Sequence, residues 1–255
     1  MKILVVSPHR DDAAFSLGLS IVHWIDAGHA VTVLNCFTQS NYGPYSDVEL
    51  VHDNDRTSYV SALRRKEDVA WNKLLGGKVV FRDLDLMDAP LRLACVLDEV
   101  FHVEIRPGDR ALARVAGAVR KLTQAGGTAV LAPVAVGGHI DHRVTRAAVL
   151  EALSGTEVPL ALYEDLPYVP MGVTPRLEEQ LAGVAELDLQ PCYVESTPEY
   201  VDGQIRLKRR MADCYDSQVD SEVAQMLAGF AGAYDGRERL WANATWRGSG
   251  LAVAE

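Results

Sequence analysis

The chain has 255 residues, 48% of them hydrophobic and 24% charged, a globular composition with enough length to bury a large core. A formal charge of -10 argues against recognition by phosphate neutralisation, because nucleic-acid binders draw affinity from clustered Lys and Arg; a neutral or cationic small molecule suits this field better. No apolar stretch reaches the roughly eighteen residues that would span a bilayer, and the four cysteines are scattered without a CxxC pair, so a cytoplasmic protein without a membrane partner, zinc ribbon or dithiol site is expected.

In chain order, Ile3-Leu4-Val5-Val6 is a short apolar run that predicts a buried parallel strand, and it opens directly into Ser7-Pro8-His9-Arg10-Asp11-Asp12. A helix through Phe15, Leu19 and Trp24 ends at Gly28, and a second apolar strand covers 30–37. This β-α-β opening implies a parallel pair with a right-handed crossover. A polar loop is predicted over 38–55, a helix over 57–75, a strand over 78–81 and a loop with three aspartates over 83–90. A helix over 109–124 and a strand over 128–134 lead to Gly137-Gly138-His139-Ile140-Asp141-His142, followed by a helix through Leu153 and a strand over 160–163. Beyond about 167 the pattern loosens, with a strand over 191–195, helices over 200–215 and 219–233, and a weakly patterned tail.

Both histidine-aspartate clusters follow predicted strands, and parallel strands present their carboxyl ends at one edge of the sheet, so residues about 130 apart can converge there. His9, Asp11, Asp12, His139, Asp141 and His142 would then share one site. Imidazole nitrogen with carboxylate oxygen suits a catalytic Zn²⁺ that keeps a position for water; Fe²⁺, Mn²⁺ or Co²⁺ fit the same set. A spare carboxylate can take a proton and a spare histidine can stabilise an oxyanion or protonate a leaving amine. Each cluster alone also reads as a helix cap or a solvated turn. Their joint occurrence at strand-to-helix turns is what favours a metal site.

Pro8-His9-Arg10-Asp11-Asp12-Ala13 resembles the HPDD(E/A) signature, and His139-Ile140-Asp141-His142 the HPDH signature, of the PIG-L or LmbE-like deacetylases. Arg64-x-x-Glu67 with Ala70 and Leu74-Leu75-Gly76 is similar to that family's R-x-x-E helix, and Tyr215-Asp216-Ser217-Gln218 to a Tyr-x-Ser-Gln element. The resemblance implies a Rossmann-like three-layer α/β sandwich with a mostly parallel sheet. Residues 1–255 would form one domain, with the metal-binding core over 1–165 and a less regular extension over 166–255. It implies zinc-dependent removal of an acyl group from an N-acylated amino sugar or related small amide, as in secondary metabolism. The ligands would be His9, Asp12 and His142. Asp11 would be the base, and His139 would assist at the oxyanion or leaving group, oriented by Asp141. Arg64 and Asp88 would contact substrate hydroxyls, with Asp85 as the competitor for the second role and surface or turn positions as the alternatives.

Three departures from the signature bear on the substrate. Arg10 replaces a proline, which removes a fixed φ and adds a permanent cation beside the site. Its expected partner is an acidic group of the substrate or Asp141, with a solvent-facing side chain as the alternative. Ala13 replaces a common glutamate, and Gly137 stands where some members carry a mobile tyrosine. Tyr42, Tyr45, Tyr163 and Tyr168 are candidate pocket residues, whereas His23, His29, His52 and His102 have no paired carboxylate pattern. The competing readings are a nucleotide- or sugar-binding Rossmann-like module, disfavoured because a G-x-G-x-x-G cradle is missing from the first turn, and a catalytically degenerate family member. The C-terminal third is a candidate subunit contact in a homo-oligomer.

Overall fold

A computed structural model of the chain describes residues 1–194 and 201–254. Its first half runs β1 (Lys2–Ser7), α1 (Asp12–Asp26), β2 (Ala30–Gln39), α2 (Arg56–Leu74), β3 (Val79–Met87) and α3 (Ala89–Leu93). Then come α4 (Arg110–Thr123), β4 (Thr128–Pro133), α5 (Ile140–Leu153), β5 (Leu160–Tyr163), α6 (Tyr168–Met171) and α7 (Leu177–Ala182). The remainder comprises β6 (Gln190–Tyr193), α8 (Val201–Ala212), α9 (Ser221–Gly232), β7 (Arg239–Ala242), α10 (Ala244–Arg247) and β8 (Val253–Ala254).

The strands form one sheet in the order β3-β2-β1-β4-β5-β7-β6-β8. The first five are parallel, and β7, β6 and β8 continue the sheet in antiparallel pairings. Alternation within β1 decides the layers. Ile3 and Val5 face a core shared with α1, α2, α8 and α9, while Leu4 and Val6 face the core of α4 and α5. Each such side chain fully removed from water contributes about 1.5–3 kcal/mol, which pins the register of the central strands. The α/β three-layer architecture expected from the motifs is therefore present.

One expectation needs correction. The segment 83–90 is not simply a loop, because β3 runs on to Met87, pairing Leu86 with Phe37 and Met87 with Gln39 beyond register shifts, with Asp85 at φ +52°. Its aspartates gave no strand signal because β3 is the outermost strand and has a half-polar face. The C-terminal third, in turn, is part of the same sheet and packs α8 against α1. Its strands are two to four residues long, too short for a period-2 pattern to register. The strand expected over 191–195 is seen at Gln190–Tyr193, and Glu195 and Tyr200 lie outside the described residues.

From β1 the chain winds outward through β2 and β3, then returns to place β4 on the other side of β1. This reversal opens a crevice beyond the carboxyl ends of β1 and β4, and both histidine-aspartate clusters border it.

Candidate active site

The turn from β1 into α1 is set by its own polar atoms. Ser7 Oγ donates to the His9 carbonyl at 2.6 Å and accepts from the Ala13 N–H at 3.2 Å. Asp12, the first residue of α1, folds back to accept the His9 backbone N–H at 2.7 Å. Asp11 occupies the N-cap position without capping the helix through its side chain, so its carboxylate is left for the crevice. Opposite, Gly137 and Gly138 hold φ of +83° and +79° in the turn before α5, and His139 caps that helix by accepting the Asp141 N–H on Nδ1 at 3.2 Å.

These turns bring one ligand atom each of His9, Asp12 and His142 within 4.8 Å of one another. The outer nitrogens of both histidines are committed. His142 Nδ1–H donates to Asp165 Oδ1 at 2.5 Å, and His9 Nε2–H donates to Asp141 Oδ2 at 3.2 Å. Carboxylates in that position fix the tautomer of a metal-ligating histidine and raise its basicity. The inner atoms are the ones without good partners: His142 Nε2 is buried, has no hydrogen bond, and lies 3.4 Å from Asp12 Oδ2. Leaving such an atom unpaired costs about 1–3 kcal/mol, a cost that a bound cation removes. This donor set fits a divalent ion with an open coordination position.

A second trio, His9, His139 and Asp141, is equally compact, but its carboxylate is already engaged. Asp141 accepts from Arg92 Nη2 at 2.6 Å, from the Ala89 N–H at 2.8 Å and from His9. Because Nδ1 of His139 is an acceptor, its neutral ring carries the proton on Nε2 and offers a donor. Burial depresses the His139 pKa to about 3, against the pull of Asp141, so the ring is neutral at physiological pH. Around it, burial opposes ionisation, but contacts among the charged groups dominate. His142 and His9 hold Asp12 near 2, while Asp12 and Asp141 lift His9 to about 10. For Asp141, the His9 hydrogen bond and nearby cations outweigh burial and hold it near 2.

The crevice encloses about 310 Å³, with His9, Asp11, Asp12, Arg64, Asp88 and His139 among its lining residues. Arg64 is buried rather than at the surface, and its Nη2 donates to Asp11 Oδ1 at 2.8 Å. Asp88 caps α3 by accepting the Leu91 N–H, whereas the Asp85 side chain is 60% exposed and does not line the crevice. Tyr42 and Tyr168 line it, while Tyr45 and Tyr163 do not. The Tyr168 ring packs edge-on to His142 at 5.6 Å, in space that a Cβ on Gly137 would invade at 3.1 Å.

Two expected roles change with the geometry. Arg10 neither faces solvent nor meets Asp141: it is 2% exposed, and its guanidinium is bound to Asp68 and Asp83, away from the crevice. Asp141 orients His9 through its carboxylate and touches His139 only through its backbone N–H, because Arg92 and Ala89 turn the carboxylate the other way. Sequence reasoning also missed Asp165 and Arg92, whereas Gln218, singled out there in the Tyr215-to-Gln218 element, lines the crevice. Asp165 lies just beyond β5, so the strand-end argument that found the histidines applies to it; Arg92 carries no comparable signal.

The GlcNAc-PI de-N-acetylase (PIG-L) profile matches residues 4–153. A 2'-N-acetylparomamine deacetylase of Streptomyces fradiae is 33% identical over 99% of this chain and 85% of its own length. Among solved structures, a deacetylase of the teicoplanin biosynthesis pathway aligns with TM-score 0.69 at 24% identity, covering 95% of this chain and 97% of its own. The A40926 pseudoaglycone deacetylase aligns with TM-score 0.67 at 26% identity, covering 96% and 97%.

Proposed function

Since the chain belongs to the PIG-L family of deacetylases, we propose that it is a metal-dependent hydrolase that removes the acetyl group from the amide nitrogen of an amino sugar. The observation that carries this reading is the partnerless Nε2 of buried His142, held by Asp165 beside Asp12 and His9, with the Asp11 carboxylate, paired to Arg64, lining the same crevice. His9, Asp12 and His142 would hold the ion, Zn²⁺ by preference, with Fe²⁺, Mn²⁺ or Co²⁺ as alternatives. Such an ion, when bound, polarises the acyl carbonyl and lowers the pKa of a water from 15.7 to about 7.

The protein's own groups supply the rest. Asp11, steered by Arg64, accepts the proton of the attacking water and delivers it to the departing amine. His139, neutral with its proton on Nε2, donates to the oxyanion that forms at the acyl carbon. The Tyr168 hydroxyl, without a hydrogen-bond partner among the described residues, is a second donor lining the same crevice, and burial with nearby carboxylates keeps it protonated.

A cationic or neutral sugar is favoured by the walls, which add Asp88 and Asp98 to the floor carboxylates against one arginine, itself paired with Asp11. The Streptomyces fradiae relative, whose activity is on an N-acetylated aminoglycoside, and the A40926 pseudoaglycone deacetylase support a substrate from antibiotic-type secondary metabolism. No helix among the described residues is long and apolar enough to cross a membrane. The test is acetate release from a panel of N-acetylated amino sugars and aminoglycosides. Turnover abolished by a chelator and restored by Zn²⁺ is expected; no acetate from any of them, with the ion bound, refutes the reading.

A further inference from the structure

Arg10 is the residue that departs most from the first motif, and it is one of the largest fully buried side chains. Its Nη1 donates to Asp68 Oδ2 at 2.5 Å and to Asp83 Oδ1 at 3.2 Å, and its Nη2 donates to Asp83 Oδ2 at 2.7 Å. The fork is locked from behind. Asn35 Nδ2 donates to both carboxylates, at 3.0 and 3.2 Å, and the Tyr215 hydroxyl donates to Asp68 Oδ1 at 2.9 Å. One guanidinium thus ties the β1-α1 turn directly to α2 and β3, and through their carboxylates to β2 and the C-terminal extension.

Asp68 and Arg64 lie one turn apart on the buried face of α2. Arg64 grips Asp11, and Asp68 grips Arg10, the residue before it. Neighbouring residues of opposite charge on the turn therefore meet neighbouring residues of opposite charge on the helix, in a crossed pair of ion pairs. A single ion pair would let the turn swivel about one contact. Two, separated by a helical turn, set both its distance and its orientation.

We propose that Arg10 is a positioning residue: through the Asp68–Asp83 fork it holds the turn so that Asp11 meets Arg64 and the crevice while Asp12 and His9 meet His142. In this chain the buried fork does what the fixed φ of a proline does elsewhere in the family signature. This inference rests on the functional reading above. It also moves Arg10 from substrate recognition to the geometry of the base and the ion.

The experiment compares wild type with Arg10→Met, Arg10→Lys and Asp83→Asn. Folding is followed by circular dichroism, Zn²⁺ affinity by competition with a chromophoric chelator, and kcat and KM by acetate release. Arg10→Met is expected to weaken Zn²⁺ binding about tenfold and to lower kcat about ten- to a hundredfold, with KM within about threefold of wild type. Arg10→Lys, which keeps the charge but loses the fork, recovers part of both, and Asp83→Asn falls between it and wild type. Arg10→Met takes their shared cation from buried Asp68 and half-buried Asp83, leaving Asp68 only Asn35 and Tyr215 as partners; should it fail to fold, the two milder variants decide. Folded variants with wild-type Zn²⁺ affinity and kcat overturn the proposal, as does a change confined to KM, which would return Arg10 to the substrate. Wild-type protein that binds no Zn²⁺ overturns the functional reading, and the positioning role with it.

Discussion

Replacing Asp165 by Asn tests the metal centre at the atom that defines it. Asp165 and His142 are both fully buried, and the carboxylate serves two donors: His142 Nδ1–H on Oδ1 at 2.5 Å and the Val136 N–H on Oδ2 at 3.2 Å. An asparagine has one carbonyl oxygen for those two donors. If the oxygen keeps His142, the amide NH₂ confronts the Val136 N–H and a backbone donor is stranded, at about 1–3 kcal/mol. If the oxygen turns to Val136, the NH₂ donates to Nδ1 and drives the ring proton to Nε2, the nitrogen that faces Asp12. Either way the ligand form of His142 is penalised and its basicity falls with the lost charge. The expected loss in Zn²⁺ affinity is about ten- to a hundredfold, equivalent to about 1.4–2.8 kcal/mol. Competition with a chelator of known affinity measures this directly, and circular dichroism reports whether the fold survives. A folded Asp165→Asn protein that binds Zn²⁺ as tightly as wild type would refute the assignment of His142 Nε2 as the ligand atom.

Asp11→Asn should retain the ion, yet kcat should fall about 10²–10⁴-fold because the proton acceptor is gone; normal turnover would remove Asp11 from the base role. Tyr168→Phe removes only a hydroxyl and should lower kcat about tenfold or more with little change in KM or Zn²⁺ affinity; an altered KM alone would make Tyr168 a binding residue. Glu67, buried on α2 with Oε1 on the Ser217 N–H and Oε2 partnerless, has its pKa pushed up by burial from 4.5 to about 7. The folded state therefore binds the extra proton between those values, so this group lowers stability as pH rises through the window. Urea unfolding of Glu67→Gln across that range should lack this decline, and an identical pH slope in both proteins would contradict the burial argument.

The fold and the outline of the site were legible in the sequence because each rests on a local signal. Short apolar runs ending in His9-Arg10-Asp11-Asp12 and Gly137 to His142 mark strand-to-helix turns, and parallel strands put such turns at one edge. Helix limits over α2, α4, α8 and α9 followed from periodicity to within a few residues. The polar edge of β3 and the short strands of the last third were obscure because tertiary pairing, not local pattern, makes them strands.

By itself, then, the sequence determined the α/β class, the family signature and the set of side chains around the crevice. Only the tertiary structure decided their partners. It gave Asp141 to His9 rather than His139, recruited Asp165 and Arg92 from distant segments, and buried Arg10 between Asp68 and Asp83. The physical reason is that a residue's type limits the bonds it can form, whereas a buried ionised group takes whichever opposite charge the packing brings within about 3 Å, and that choice is made by elements far apart in the chain.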